Sequence, residues 1–197
     1  MTNQLITPIN TVEEPEETLS MNPKKFILWL FIVSIVMLFA AMTSAYLVRR
    51  AEGNWLEFTI PTIFTYSTIV LIASSLTMQW AYWAAKKDNF NTLRVAISIT
   101  FVLGLVFLWM QFEGWIALVN ENVYFVGNPA GSFIYIFTGL HALHLISGLI
   151  VLVVVLVSAF RLDIHAKNLN RIEIATSYWH FLGALWVYLL LFLLYFH

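Results

Sequence analysis

Residues 26–48 read FILWLFIVSIVMLFAAMTSAYLV and contain no charged side chain. Lys25 precedes this stretch and Arg49 follows it. A helix needs about 20 apolar residues to cross the hydrocarbon core of a bilayer, because the core is about 30 Å thick and each residue rises about 1.5 Å. The stretch therefore predicts a membrane-spanning helix.

Four further apolar stretches of similar length follow, at about 58–85, 95–118, 132–160 and 174–197. Residues 122–131 are uncharged too, but their Gly, Asn and Pro content is typical of a loop. The stretches lack the alternation of a β-barrel, and open sheet edges are not tolerated in hydrocarbon. We therefore expect an all-α polytopic membrane protein, with a bundle of five transmembrane helices spanning 25–197. Residues 1–24 are polar and acidic, and we expect a disordered or partner-bound tail.

The composition excludes several other classes of protein. Of the 197 residues, 60% are hydrophobic and 11% are charged, which is too few charges for an ordinary soluble or disordered chain. A net charge of −1 gives no basic footprint for nucleic acid. The absence of cysteine excludes disulfides, thiolate metal sites and cysteine nucleophiles.

The basic residues predict the orientation in the membrane. Arg49 and Arg50 are the only basic residues on the side where the first predicted helix ends. The opposite side carries Lys24, Lys25, Lys86, Lys87, Arg94, Arg161, Lys167 and Arg171. Because cytoplasmic loops carry the excess of Lys and Arg, we expect a cytoplasmic N-terminus and an external C-terminus.

Three histidines within the predicted helices are candidates for chemistry. His141 and His144 are three residues apart and should share one face of a helix. With His180 they could form a metal site, or His144 and His180 could hold a haem b in a membrane electron carrier. The pair alone is a weak metal signal, so hydrogen bonding between helices is the favoured interpretation.

Two carboxylates and two tryptophans stand out in the remaining helices. Glu113 could relay protons, although a position at the membrane interface is favoured, and Glu173 suits the dipole of the first helical turn. Trp179 and Trp186 are a heptad apart, which is typical of a packing surface. No nucleotide loop or catalytic triad is evident. A small transporter or scaffold is a further alternative, although the absence of a broken helix argues against a transporter.

Three motifs together resemble subunit III of the haem–copper respiratory oxidases of the cytochrome c oxidase type, in its short five-helix bacterial form. The first is T-G-L-H-A-L-H-L-I-S-G at 138–148. The second is Glu173 followed by Y-W-H-F at 178–181 and by Trp186. The third runs from L-G-L at 103–105 to Gln111, with Glu113 close to the position of the family's Q-x-x-E glutamate.

The resemblance implies a chain with no catalytic centre, haem or copper of its own. Haem and copper would lie in partner subunits of a terminal oxidase that reduces O₂ to water and pumps protons. The main partner would be the catalytic subunit I, with subunit II, a small subunit IV, other respiratory complexes and phospholipid as further neighbours. The chain would support the stability and proton uptake of the complex, in a bacterial plasma membrane and not a mitochondrial one.

The resemblance also implies roles for individual residues. A polar or proton network would include Gln111 and Glu113. Structural or network roles would fall to His141, His144, Glu173, Tyr178, Trp179, His180 and Trp186. Two positions depart from the family pattern: Ile35 stands where longer members carry a carboxylate, and Gly183 where many members carry Asp.

Overall fold

The computed structural model describes residues 23–160 and 169–196. Its five α-helices are α1 (Pro23–Ala51), α2 (Ile63–Lys86), α3 (Phe90–Asn120), α4 (Pro129–Phe160) and α5 (Asn170–Phe196). Each is long and apolar enough to cross a membrane, and the described residues contain no β-strand. The prediction of an all-α protein with five spanning helices is therefore confirmed. Of the predicted tail, residues 1–22 lie outside the described residues.

All five helices begin at positions that differ from the sequence-based bounds, and α1, α3 and α5 begin three to five residues earlier than expected. The other two starts have a local explanation. The second helix begins at Ile63 and not at 58, and Pro61 accounts for the delay because proline disfavours helical backbone in the residue before it. The fourth helix begins at Pro129, three residues early. Proline suits the first helical position, and Asn128 Oδ1 caps the helix by accepting a hydrogen bond from the Ala130 amide at 2.9 Å.

Four helices form a closed ring in which α2 packs on α3, α3 on α4, α4 on α5 and α5 on α2. The first helix lies outside this ring against α4 and α5, and within the described residues it does not pack on α2 or α3. It buries a single stripe at helical spacing, formed by Ile32, Ile35, Phe39, Thr43 and Tyr46. Most other side chains of α1 between Phe26 and Val48 are apolar and exposed, as a surface that faces lipid or another chain requires.

Close packing of the ring depends on Gly104 of α3. A Cβ atom added there would lie 2.8 Å from both Leu149 Cδ2 and Trp179 Cη2, so two large side chains would have to move. We expect Gly104→Ala to cost about 1–3 kcal/mol of stability through overpacking. The measurement is the midpoint of thermal unfolding of the purified protein in detergent.

The matched control is Gly139→Ala on α4, where the nearest atom to an added Cβ is 4.0 Å away in the ring of Trp115. Both substitutions remove a glycine from a helix, so both gain similar helix propensity. Only Gly104→Ala should lower the midpoint. Equal shifts in the two variants would contradict the packing seen around Gly104.

Candidate functional site

Two buried tryptophans of α5 donate hydrogen bonds to hydroxyl groups of α2. Trp179 Nε1 donates to Ser74 Oγ at 3.1 Å, and Trp186 Nε1 donates to Thr68 Oγ1 at 2.9 Å. Both tryptophans are buried, and a buried indole N–H requires a partner. The partners are six residues apart on α2 and the tryptophans seven apart on α5, so the two bonds fix the antiparallel register of these helices.

Two further contacts continue this series toward the end of the bundle where α5 begins. His180 Nε2 donates to Gln79 Oε1 at 3.1 Å. The Tyr82 hydroxyl donates to Glu173 Oε1 at 3.3 Å. Together with the two tryptophan bonds, these contacts make four side-chain links between α2 and α5, which we call the α2–α5 ladder.

The ladder ends in a polar cavity between α1, α2 and α5. Lys25 of α1 forms an ion pair of 2.5 Å with Glu173 Oε2. The cavity has a volume of about 420 Å³, and its lining includes Lys25, Glu173, Gln79 and His180. The Thr176 hydroxyl also lines it, and that buried oxygen has no hydrogen-bond partner among the described residues. The cavity lies at the basic end of the bundle, where Lys25 and Lys86 are found.

The two histidines of α4 have different surroundings. His141 is fully buried, with its ring centre 5.9 Å from that of Phe107 and 5.0 Å from that of Trp186. His144 is half-buried beside Phe39, at 5.8 Å, and its Nδ1 donates to the carbonyl of its own helix at Leu140, at 2.7 Å. Three residues correspond to about 300° of helical rotation, so the two rings share a broad face but contact different helices.

Tyr178 links α5 to two other helices. Its hydroxyl shares a hydrogen bond of 2.7 Å with Ser147 Oγ of α4. Its ring lies 5.7 Å from that of Phe31 on α1. Each motif residue from Glu173 to Trp186 that the sequence singled out on α5 therefore contacts another helix of the same chain through its polar group.

Gln111 and Glu113 of α3 point in different directions. Gln111 is buried and its Nε2 donates to Ser67 Oγ of α2 at 3.0 Å. Glu113 is partly exposed, and its Oε1 accepts a bond of 3.1 Å from Trp109 Nε1 on the same helix. The structure does not bring the two side chains into contact with each other, because residues two apart on a helix point away from each other.

The hydrogen-bond partners that α2 supplies to the motif residues were not predicted from the sequence. They include Ser67, Thr68 and Gln79. The spacing in the sequence could have indicated two of them, because Ser67 and Ser74 are a heptad apart and therefore share a helix face. In the structure both are buried. Gly183 also lies in the contact between α2 and α5, since a Cβ atom added there would lie 3.1 Å from Ser75 Oγ. A larger Asp at this position would crowd α2. Ile35, the other position that departs from the family pattern, lies in the buried stripe of α1.

The fold and these contacts define a polytopic membrane protein whose buried polar side chains join its own helices. Among the described residues, no group of three His, Asp or Glu side chains is placed to hold a metal ion. A haem b would need the imidazoles of His144 and His180 as its two ligands. These imidazoles contact different helices, since His180 bonds to α2 and His144 lies beside α1.

Comparison with known proteins then identifies the class more closely. A sequence model of the family "Cytochrome c oxidase subunit III" matches residues 16–197. A probable cytochrome c oxidase subunit 3 of Nocardia farcinica is 33% identical over 171 residues, which cover 82% of this chain and 81% of that protein. The cytochrome c oxidase subunit 3 of Bacillus sp. PS3 is 28% identical over 182 residues, covering 89% of this chain and 87% of that protein.

The chain belongs to the cytochrome c oxidase subunit III family and is a non-catalytic, multi-pass membrane subunit of a haem–copper oxidase. The predicted resemblance is confirmed. Neither the haem b carrier nor the small transporter or scaffold is favoured.

The ion pair between Lys25 and Glu173 should hold the basic end of α1 on α5. A partly exposed ion pair contributes up to about 1 kcal/mol, which corresponds to about fivefold in an opening equilibrium. The chain contains no cysteine, so Ile32→Cys places one thiol in the buried stripe of α1. Adding Glu173→Gln should raise the rate at which a membrane-permeant maleimide labels this thiol by up to about fivefold.

The matched control is Glu113→Gln, which neutralises a glutamate bonded only to Trp109 of its own helix in the described contacts. It should leave the labelling rate at Ile32→Cys unchanged. An equal increase from both substitutions would show that the Lys25–Glu173 pair does not hold α1.

Proposed function

We propose that this chain packs against the haem–copper catalytic subunit I and stabilises it, without taking part in the redox chemistry. The observation that carries this proposal is that the motif side chains of α5 form hydrogen bonds within the chain itself. Glu173, Tyr178, Trp179, His180 and Trp186 all direct their polar groups to other helices of this chain. Side chains used in this way build a rigid bundle and are not gathered around a reactant.

The outer surface of the bundle supports a role in assembly. Large apolar side chains are exposed on α1, where Met37 is 67% exposed, and on α3, where Trp109 is 70% exposed. Such faces require lipid or another transmembrane chain. Subunit I is the proposed main neighbour, with subunit II, a small subunit IV, other respiratory complexes and phospholipid around it.

We also propose that the polar cavity supports proton uptake by the complex. It combines an ammonium, a carboxylate and an imidazole, those of Lys25, Glu173 and His180, at the basic end of the bundle. The positive-inside rule assigns this end to the cytoplasm, the side from which a proton-pumping oxidase takes protons. Gln111 and Glu113 contribute polar contacts farther along α3, toward the other end.

The first test of this proposal is co-purification. An affinity-tagged copy of the full chain, extracted with mild detergent, should carry a haem–copper subunit I identified by mass spectrometry. All haem absorbance should travel with that partner once the two are separated. A Soret band from the separated chain, or an extract without a haem–copper partner, would contradict the proposal.

His180→Phe and His144→Phe make a matched pair for testing the structural role of the α2–α5 ladder. His180→Phe removes a hydrogen bond between helices, typically about 1 kcal/mol, whereas His144→Phe removes one within a helix. We expect His180→Phe to lower retention of subunit I about fivefold and His144→Phe to change it little. Haem per subunit I should stay constant, and its loss would contradict a purely structural role.

The proposed location is a bacterial plasma membrane with the N-terminus in the cytoplasm. Lys87→Cys, between α2 and α3, and Phe125→Cys, between α3 and α4, place single thiols at exposed positions on opposite sides. In intact cells an impermeant thiol reagent should label Phe125→Cys and not Lys87→Cys. The reverse pattern would show the opposite orientation.

A further inference from the structure

The interior of the ring contains polar atoms that the protein leaves without partners. His141 is fully buried, yet neither Nδ1 nor Nε2 has a hydrogen-bond partner among the described residues. Gln111 is 1% exposed, and its Oε1 also lacks a partner there. Burying such atoms without hydrogen bonds is costly, and buried polar groups in native proteins nearly always have a protein or water partner.

These two side chains lie at the same level of the bundle. The helices α3 and α4 are antiparallel neighbours, and Trp115 Nε1 donates to Thr138 Oγ1 between them at 2.9 Å. Gln111 is four residues from Trp115, or about 6 Å along α3, and His141 is three residues from Thr138, or about 4.5 Å along α4. Both displacements run toward the basic end, so Gln111 and His141 lie at about the same height, in one layer of the bundle.

The other polar groups of this layer have no spare hydrogen to offer. The hydroxyls of Ser67 and Thr68 both donate to the carbonyl of Phe64, each at 2.8 Å. They accept in turn from Gln111 Nε2 and Trp186 Nε1. One turn away, the Thr138 hydroxyl donates to the carbonyl of its own helix at Ile134, at 2.7 Å.

A neutral imidazole has one donor and one acceptor, and the free Gln111 oxygen is an acceptor. The structure shows no direct hydrogen bond between this oxygen and either ring nitrogen of His141. A molecule that both donates and accepts can bond to the amide oxygen and to one ring nitrogen together, and buried water typically makes about three hydrogen bonds of this kind.

We propose that a water molecule is bound inside the ring between His141 and Gln111 and links α4 to α3. It donates to Gln111 Oε1 and exchanges a hydrogen bond with a ring nitrogen of His141. The buried rings of Phe107 and Trp186 pack against the imidazole of His141. The polar groups that the motif places on α3 and α4 therefore contribute to stability through water as well as through direct contact.

The direct test is a high-resolution cryo-electron microscopy map of the chain in the assembly with which it is extracted from the membrane. We expect density about 3 Å from both a ring nitrogen of His141 and Gln111 Oε1, the normal hydrogen-bond distance. The density should disappear in His141→Phe and persist in His144→Phe, which removes a histidine from the same helix. A wild-type map that resolves other buried waters in this chain but shows none here overturns the proposal.

Thermal unfolding provides a second test that needs no map. If a shared water joins the two side chains, losing either one breaks the link, and losing both breaks it only once. The midpoint should therefore fall in His141→Phe and in Gln111→Leu, and fall no further in the double variant than in the worse single variant. In the control pair, His144→Phe and Gln111→Leu, the two shifts should add. Additive losses for His141→Phe and Gln111→Leu would overturn the proposal.

Discussion

The contact between α2 and α5 depends on two indole N–H groups, those of Trp179 and Trp186, that must be satisfied inside hydrocarbon. Each finds a hydroxyl on α2, and each hydroxyl uses its own hydrogen on a carbonyl of its own helix. Because water is scarce in the bilayer core, a shift in register that separates the indoles from these two hydroxyls would be costly. The register of α5 on α2 follows from this constraint, and it places Glu173 beside Lys25 and Tyr82.

This arrangement explains how a chain with several buried polar residues serves as a subunit without a reaction centre of its own. The polar groups of α5 are directed inward and are bonded across the bundle. The outward faces of α1 and α3 are apolar and exposed. A bundle joined by internal hydrogen bonds presents a fixed surface to its neighbours, and fixed surfaces suit close packing between transmembrane helices. The position of α1 outside the ring gives the molecule an additional flank for such contacts.

The roles of some residues in the site could be predicted from their spacing in the sequence, and those of others could not. Trp179 and Trp186 were expected to form a packing surface because a heptad places them on one face. In the structure both are buried and both donate hydrogen bonds to α2. For His141 and His144, spacing predicted a shared face of α4. It could not show that the imidazole of His141 lies among the four packed helices, whereas that of His144 lies beside α1. Gln79 carried no signal, because a single amide in an apolar helix gives no periodicity to detect.

Five membrane-spanning helices could be predicted without coordinates, because the length of each uncharged stretch must match the thickness of the hydrocarbon core. The motifs at 138–148 and 173–186 also indicated the family, whose sequence model matches residues 16–197. Which helices are neighbours became evident from the folded structure alone. In lipid every apolar face is equally satisfied, so hydropathy cannot choose a partner for α5. That choice belongs to hydrogen bonds and close contacts such as Gly104 against Trp179, which form only between residues distant in the chain.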